Sequence, residues 1–112
     1  KAVSIQVVVP LVYSLSPVHT DAFYAEKTAE MIRTLNPDYV MIKDSIGLLT
    51  PERVKTLVPT IKREMGDLPL EMHSHCTTGL APICCLDSVD LGVEIIDTCV
   101  SPLANGPSHP SI

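Results

Sequence analysis

The sequence is short of positive charge. Eight lysine and arginine side chains stand against 13 aspartate and glutamate side chains, so the formal net charge of the 112 residues is −5 at pH 7. Domains that bind nucleic acid usually carry a basic patch or stripe that meets the phosphate backbone. This sequence has no basic cluster and no interleaving of aromatic and basic residues. We therefore expect no nucleic-acid partner.

Long apolar runs are also missing. No stretch approaches the ~20 residues that a membrane-spanning helix needs, and the first residues lack the layout of a signal peptide. Hydrophobic residues nevertheless make up 46% of the chain, which is typical of one small globular domain. We expect that domain to be cytoplasmic.

The cysteines lack the spacing of a zinc site or a disulfide framework. No two of the four form a C-x-x-C pair, and Cys84 and Cys85 are adjacent. We predict reduced thiols, with Cys84, Cys85 and Cys99 acting as small core residues. Cys76 is a separate case, because it follows a pair of histidines.

What the sequence does contain is a regular alternation of apolar patterns. Four short apolar runs predict strands, and three segments with helical periodicity lie between them. The predicted strands are residues 5–9, 39–42, 69–76 and 93–100, and the predicted helices are residues 20–35, 50–66 and 80–91. At Pro10 the first strand should either bulge or start only after the proline, at residues 11–14, and we expect extended chain to about residue 15. Pro59 should bend or split the second helix.

Repetition of strand and helix determines the fold class. Strands joined by helical crossovers lie parallel, with right-handed connections. The sequence therefore predicts an α/β domain built from parallel βα repeats.

Polar side chains collect where the predicted strands end. His73 and His75 share one face of a strand, with Cα atoms roughly 6.5–7 Å apart, so both imidazoles can reach one cation. The simpler interpretation is two polar residues at a strand end. Lys43 ends an earlier strand, where it could pair with Asp44 or Asp97 or serve a function. Asp97 could orient a histidine or cap a loop.

Four stretches together resemble a known family. Residues 16–21, 42–51, 72–79 and 96–106 are similar to the carboxyltransferase domain of biotin-dependent enzymes such as pyruvate carboxylase, the oxaloacetate decarboxylase α subunit and transcarboxylase. The resemblance implies a (β/α)₈ TIM barrel, of which the four strands would be the C-terminal half, strands five to eight. Residues 1–112 would then be a partial carboxyltransferase domain. The absence of an initial methionine and the loop-like C-terminal stretch also suggest a piece of a longer protein.

The resemblance also implies a metal site. A divalent ion, zinc, manganese or cobalt, would be held by His73, His75 and a carbamylated Lys43, and by an aspartate from a strand outside this chain. Carbamylation fits the chemistry, because it converts a repelling ammonium into an anionic oxygen ligand. Asp44, Cys76 and Asp97 would surround these ligands. Many pyruvate carboxylases have aspartate at the position of Cys76, so the cysteine favours the decarboxylase or transcarboxylase branch.

The implied activity is carboxyl transfer between biotin and pyruvate or oxaloacetate. The implied partners are a biotin carboxyl carrier domain, the keto acid and the remaining half of the barrel, in a homo-oligomer. A decarboxylase-type parent would associate with a membrane complex. We expect the fragment to be inactive alone.

Two alternatives remain open from the sequence. One is a metal-dependent carbon–carbon lyase or acyl-CoA condensing enzyme of the same superfamily, in which lysine is uncommon at the position of Lys43. The other is a non-catalytic half-barrel scaffold that dimerises through open sheet edges.

Overall fold

The computed structural model describes residues 4–112. Its four strands are all parallel and lie in chain order β1-β2-β3-β4, with a helix between each strand and the next. The predicted α/β class is therefore confirmed. The elements are β1 (Val8–Val12), α1 (Asp21–Leu35), β2 (Tyr39–Asp44), α2 (Pro51–Met65), β3 (Leu70–Ser74), α3 (Ala81–Asp90) and β4 (Ile95–Ile96).

Pro10 lies inside β1, and the prediction that the strand would start after Pro10 or bulge there is wrong. The carbonyl of Val7 accepts from Asp38 and the amide of Tyr13 donates to Lys43, so odd-numbered residues of this segment bond to β2. Pro10 is even-numbered, and its nitrogen faces the open edge of the sheet. A missing N–H costs no ladder hydrogen bond at that position.

Pro59 does not break α2, which is continuous from Pro51 to Met65. A proline at this position removes the hydrogen bond to the carbonyl of Lys55. Lys55 is exposed, so water can reach that carbonyl. The opposite side of the helix is fully buried and holds the helix on the sheet through Val54, Leu57, Val58, Ile61 and Met65.

The last strand is shorter than predicted. β4 comprises Ile95–Ile96, whereas the apolar pattern suggested residues 93–100. The amide of Asp97 still donates to Met72 of β3, but the amide of Cys99 donates to Pro110 instead. Beyond Asp97, residues 110–112 replace β3 as the hydrogen-bond partner of the chain. The chain therefore leaves the sheet after Asp97.

The two faces of the sheet differ in character. The helices pack on one face, where strand residues such as Val40, Ile42 and Met72 join the helix residues in one apolar core. Alternation places Lys43, Glu71 and His73 on the other face, which no helix of the described chain covers. Within residues 4–112 no helix combines the length and apolarity needed to cross a membrane.

Candidate metal centre

Lys43 and His73 are neighbours across two strands. They are register partners in the parallel pairing of β2 with β3 and therefore point to the same face. Such partners lie on strands about 4.8 Å apart. The structure gives Lys43 no ion pair within residues 4–112, because Asp44 is bonded elsewhere and Asp97 contacts His73.

Three imidazoles meet at this end of the sheet. His73 lies at the end of β3, His75 follows the strand, and His109 comes from the loop after β4. The ring centroids are 4.3 Å apart for His73 and His109, 4.6 Å for His75 and His109, and 5.3 Å for His73 and His75. One ring nitrogen from each lies within 4.8 Å of the other two. His109 was not predicted from the sequence.

Each of these rings is oriented by a hydrogen bond at Nδ1. The Nδ1 atom of His73 is 2.5 Å from the Asp97 carboxylate, that of His75 is 2.6 Å from the carbonyl of Pro107, and that of His109 is 3.0 Å from the carbonyl of Ser74. A carbonyl oxygen can only accept, so His75 and His109 carry their proton on Nδ1. Their Nε2 atoms then present free lone pairs. Metal-binding histidines commonly show this arrangement.

The loop that carries His109 is fixed by backbone hydrogen bonds. Its residue Ser108 accepts from the amide of Cys76 at 2.8 Å, next to His75, and Pro110 accepts from Cys99 at 2.9 Å. Within the loop, the amide of Asn105 donates to the carbonyl of His109 at 2.7 Å. The ring of His109 is therefore presented from an ordered backbone.

Asp44 supports the site without touching an imidazole. It is fully buried on the helix side of the sheet, where its carboxylate accepts from the amides of Leu48 and Leu49 and from the hydroxyl of Ser74. Its backbone carbonyl accepts from the amide of His75 at 3.2 Å. Asp44 thus shapes the loop after β2 and anchors the end of β3.

Gly47 allows that loop to lie against the backbone of His75. Its φ is +75°, and an added Cβ would overlap the carbonyl oxygen of His75. The hydroxyl of Thr78 also donates to the carbonyl of Gly47 at 2.7 Å. The loop after β2 is therefore packed directly onto the histidine segment.

Cys76 is buried beside the cluster, and its thiol lies 3.9 Å from the side-chain oxygen of Asn105. Burial and then the neighbouring Cys99 raise the pKa of the Cys76 thiol, which favours the protonated form. Burial also raises the pKa of Cys84 to about 12 and that of Cys85 to about 11. All four cysteines are free, but Cys99 is only half-buried and lies in the loop after β4, so its assignment to the core is wrong.

Glu71 was also missed by the sequence interpretation. It lies two residues before His73 on the same face and is buried, and its Oε2 has no hydrogen-bond partner within residues 4–112. Burial, and then a hydrogen bond and repulsion from Asp97, raise the pKa of Glu71 to about 7. Strand alternation could have identified it, because residues 71, 73 and 75 share a side of the strand.

The donor set fits a borderline divalent cation. Neutral imidazole suits zinc, cobalt, nickel and copper, whereas calcium and magnesium prefer oxygen ligands. Tetrahedral ligands at about 2.0 Å from zinc are about 3.3 Å from one another. The ring nitrogens, within 4.8 Å of each other, need to close by no more than about 1.5 Å. Small side-chain rotations can supply that movement.

Known proteins resemble this chain along most of its length. A pyruvate carboxylase subunit of Methanocaldococcus jannaschii is 41% identical over 110 residues, which make up 98% of this chain and 19% of that protein. The methylmalonyl-CoA carboxyltransferase 5S subunit of Propionibacterium freudenreichii subsp. shermanii is 32% identical over 98 residues, 87% of this chain and 19% of that protein. This chain thus spans about a fifth of the length of these relatives.

Solved structures confirm the fold. The carboxyl transferase domain of Rhizobium etli pyruvate carboxylase matches 92% of this chain and 18% of its own with a TM-score of 0.86 and 26% identity. The sheet and its helices are therefore a fragment of the TIM-barrel carboxyltransferase fold, and the predicted resemblance is confirmed. The model of the HMGL-like family matches residues 8–106. The chain belongs to the HMGL-like family.

Proposed function

We propose that the protein of which this chain forms part moves a carboxyl group between biotin and pyruvate or oxaloacetate at a metal site that includes His73, His75 and a carbamylated Lys43. By this proposal the 112 residues alone are inactive, because the rest of the barrel must contribute the substrate-binding residues. The remaining partners are a biotin-bearing carrier domain and further copies of the same protein.

The observation that carries the proposal is the placement of Lys43 opposite His73. A lysine without an ion pair in the described structure stands beside two imidazoles whose Nδ1 atoms are already engaged. An ammonium group would repel a cation there, whereas a carbamate would supply an anionic oxygen. The pyruvate carboxylase and carboxyltransferase relatives support carboxyl transfer as the reaction.

The residues have separable tasks in this proposal. A bound divalent ion supplies Lewis-acid polarisation of a keto-acid oxygen. Asp97 and the carbonyl of Pro107 hold the rings of His73 and His75 with Nε2 toward the site. Lys43, on the uncovered face, would supply the third ligand after its neutral amine bonds to the carbon of carbon dioxide and releases one proton to water.

The test uses the complete parent protein with a divalent metal and a biotinylated carrier domain. Oxaloacetate decarboxylation and pyruvate carboxylation are measured for the wild type and for Lys43→Arg, which keeps the charge and cannot form the carbamate. We expect kcat/KM to fall by about 100-fold or more, because a metal ligand is lost. Lys55→Arg, on the exposed side of α2, is the matched control and should be unchanged.

Two results would contradict the proposal. If the wild-type parent showed neither activity, the carboxyltransferase assignment would be wrong. If the Lys43→Arg variant were fully active, a carbamate on Lys43 would not be needed for the reaction. A labelled-bicarbonate NMR signal that disappears in Lys43→Arg would support the carbamate independently of turnover.

The second candidate is a metal-dependent carbon–carbon lyase or an acyl-CoA condensing enzyme, and the HMGL-like family match favours it. Such an enzyme would use the two histidines and would not need a modified lysine. Thioester substrates offered to the same parent protein separate the two candidates. Turnover of an acyl-CoA that persists in Lys43→Arg would favour this alternative.

A further inference from the structure

We propose that Glu71 is the contact point for a cationic side chain, best an arginine, which the part of the protein outside this chain places against the uncovered face of the sheet. The inference rests on the fold and depends neither on the proposed function nor on a bound metal. It assigns one interaction to this face and defines the charge of the partner.

Burial of the Glu71 carboxylate is the first argument. The residue is only 6% exposed, although no helix of the described chain covers this face. Its cross-strand neighbours are Met41 on β2 and Ile95 on β4, whose side chains share the face and offer no hydrogen-bond donor. Within residues 4–112, Oε2 of Glu71 has no hydrogen-bond partner. A buried carboxylate without a partner is unfavourable, so a donor is needed there.

The balance of charge is the second argument. Lys43 is the single lysine or arginine among the strand residues on this face of the described chain. It lies opposite His73, two residues nearer the carboxyl end of the sheet, and forms no ion pair within residues 4–112. Asp97 contacts His73 and adds a second carboxylate beside Glu71. The negative charge of Glu71 is therefore uncompensated within the described chain.

The fold indicates where the missing charge comes from. The sheet is a fragment of a TIM barrel, whose interior is a packed core of side chains from all eight strands. This chain contributes four of them, so the side chains that face Glu71 across the barrel come from outside it. When that layer packs on the sheet, it excludes water from the carboxylate. Glu71 then depends on a donor from the opposing layer.

The chemistry of the site favours arginine as that donor. A guanidinium is always charged, is more weakly hydrated than an ammonium, and can donate to both oxygens of one carboxylate. Glu71 presents two oxygens, and the Asp97 carboxylate on the neighbouring strand offers further acceptors. Lysine would provide the same charge but would lose a stronger hydration shell on burial.

The test is a series of substitutions at Glu71 in the complete parent protein, measured by thermal unfolding. Glu71→Gln removes the charge and keeps the shape, Glu71→Leu also removes the polar atoms, and Glu71→Lys reverses the charge. We expect Tm to fall by about 5 °C or more for the first two and furthest for Glu71→Lys, because each change leaves the opposing cation buried without an anion. The same three substitutions at Glu64, which is exposed on α2, are the matched control and should change Tm little.

Second-site suppressors identify the partner. Substitutions that restore the stability of the Glu71→Lys parent should replace an arginine or lysine outside residues 1–112 by a neutral or acidic residue. If Glu71→Lys does not accumulate, the same selection on Glu71→Leu should replace that cation by an apolar residue. Suppressors that never remove a cation would overturn the inference.

Two other results would also overturn it. A Tm equal to or above that of the wild type in both Glu71→Gln and Glu71→Leu would mean that Glu71 has no cationic partner. Losses that vanish in excess chelator would mean that Glu71 acts through a metal at the neighbouring site. Losses that persist in chelator support the inference, whether or not the parent transfers carboxyl groups.

Discussion

The Asp97 carboxylate lies 2.5 Å from Nδ1 of His73, one strand away on the same face of the sheet. This contact fixes the ring orientation and makes Nε2 a better donor. We predict that Asp97→Asn weakens zinc binding by about 10–100-fold, measured by competition with a chromophoric chelator.

Asp90→Asn, at the end of α3 and away from the cluster, provides the control for the lost charge. Equal affinity of the Asp97 variant and the wild type would mean that the contact is structural only.

Gly47→Ala should disturb the site through the backbone of His75. We expect a loss of about 1–3 kcal/mol from positive φ, with further loss from the overlap of the new Cβ with the His75 carbonyl. Urea unfolding measures the loss, and zinc affinity should fall with it.

Gly79→Ala is the matched control, because its φ is +79° and no atom of the described residues lies within 4 Å of the added Cβ. The difference between the two variants isolates the contact with His75. Equal losses would show that the contact relaxes without cost.

Glu94→Gln should change stability in a pH-dependent way. Glu94 accepts from Lys62 at 2.7 Å and from the amide of Leu70 at 2.9 Å. Burial raises the pKa of Glu94, but these hydrogen bonds outweigh it and hold the pKa below its ordinary value of 4.5. The folded state therefore favours the carboxylate, whose stabilisation is present above that value and is lost as the pH falls through the lowered pKa.

We expect Glu94→Gln to cost about 0.5–1 kcal/mol at pH 7, because the pair is partly exposed, and progressively less as the pH falls through the lowered pKa of Glu94. Unfolding curves at a series of pH values from 7 downward measure this, with exposed Glu64→Gln as the control. A cost that does not change with pH would contradict the carboxylate's role.

Pro59→Ala should stabilise the chain. The substitution restores an N–H that can bond to the carbonyl of Lys55 within α2, and we expect a gain of about 1–3 kcal/mol in the free energy of unfolding. Thermal unfolding would show a higher Tm. Pro51→Ala at the first turn should give no such gain, since a proline there removes no helical hydrogen bond. If Pro59→Ala lowered the free energy of unfolding, the packing of the proline ring would contribute more to stability than the missing hydrogen bond costs.

Local patterns explain why most elements could be predicted. Thr20 and Thr50, the first residues of the first two predicted helices, cap α1 and α2 by accepting from the amides of Phe23 and Arg53. Alternation along a strand was enough to place His73 and His75 together. The same rule puts Asp44 on the opposite face from Lys43, so its distance from the imidazoles could also have been inferred.

His109 could not be found in that way. It lies in a loop without periodicity, and long-range hydrogen bonds of residues 99–111 return it to the sheet. Long-range returns of this kind depend on tertiary hydrogen bonds, such as that from Cys76 to Ser108. Local sequence patterns do not predict such tertiary hydrogen bonds.

The order of the ligands along the chain has a further consequence. Every imidazole of the cluster follows α2, whereas Lys43 precedes it. A backbone cut between Met65 and Leu70 would leave the imidazoles on one polypeptide and the lysine on another. At the proposed metal site, binding of one ion by Lys43 and the imidazoles together would then report that the two pieces have associated.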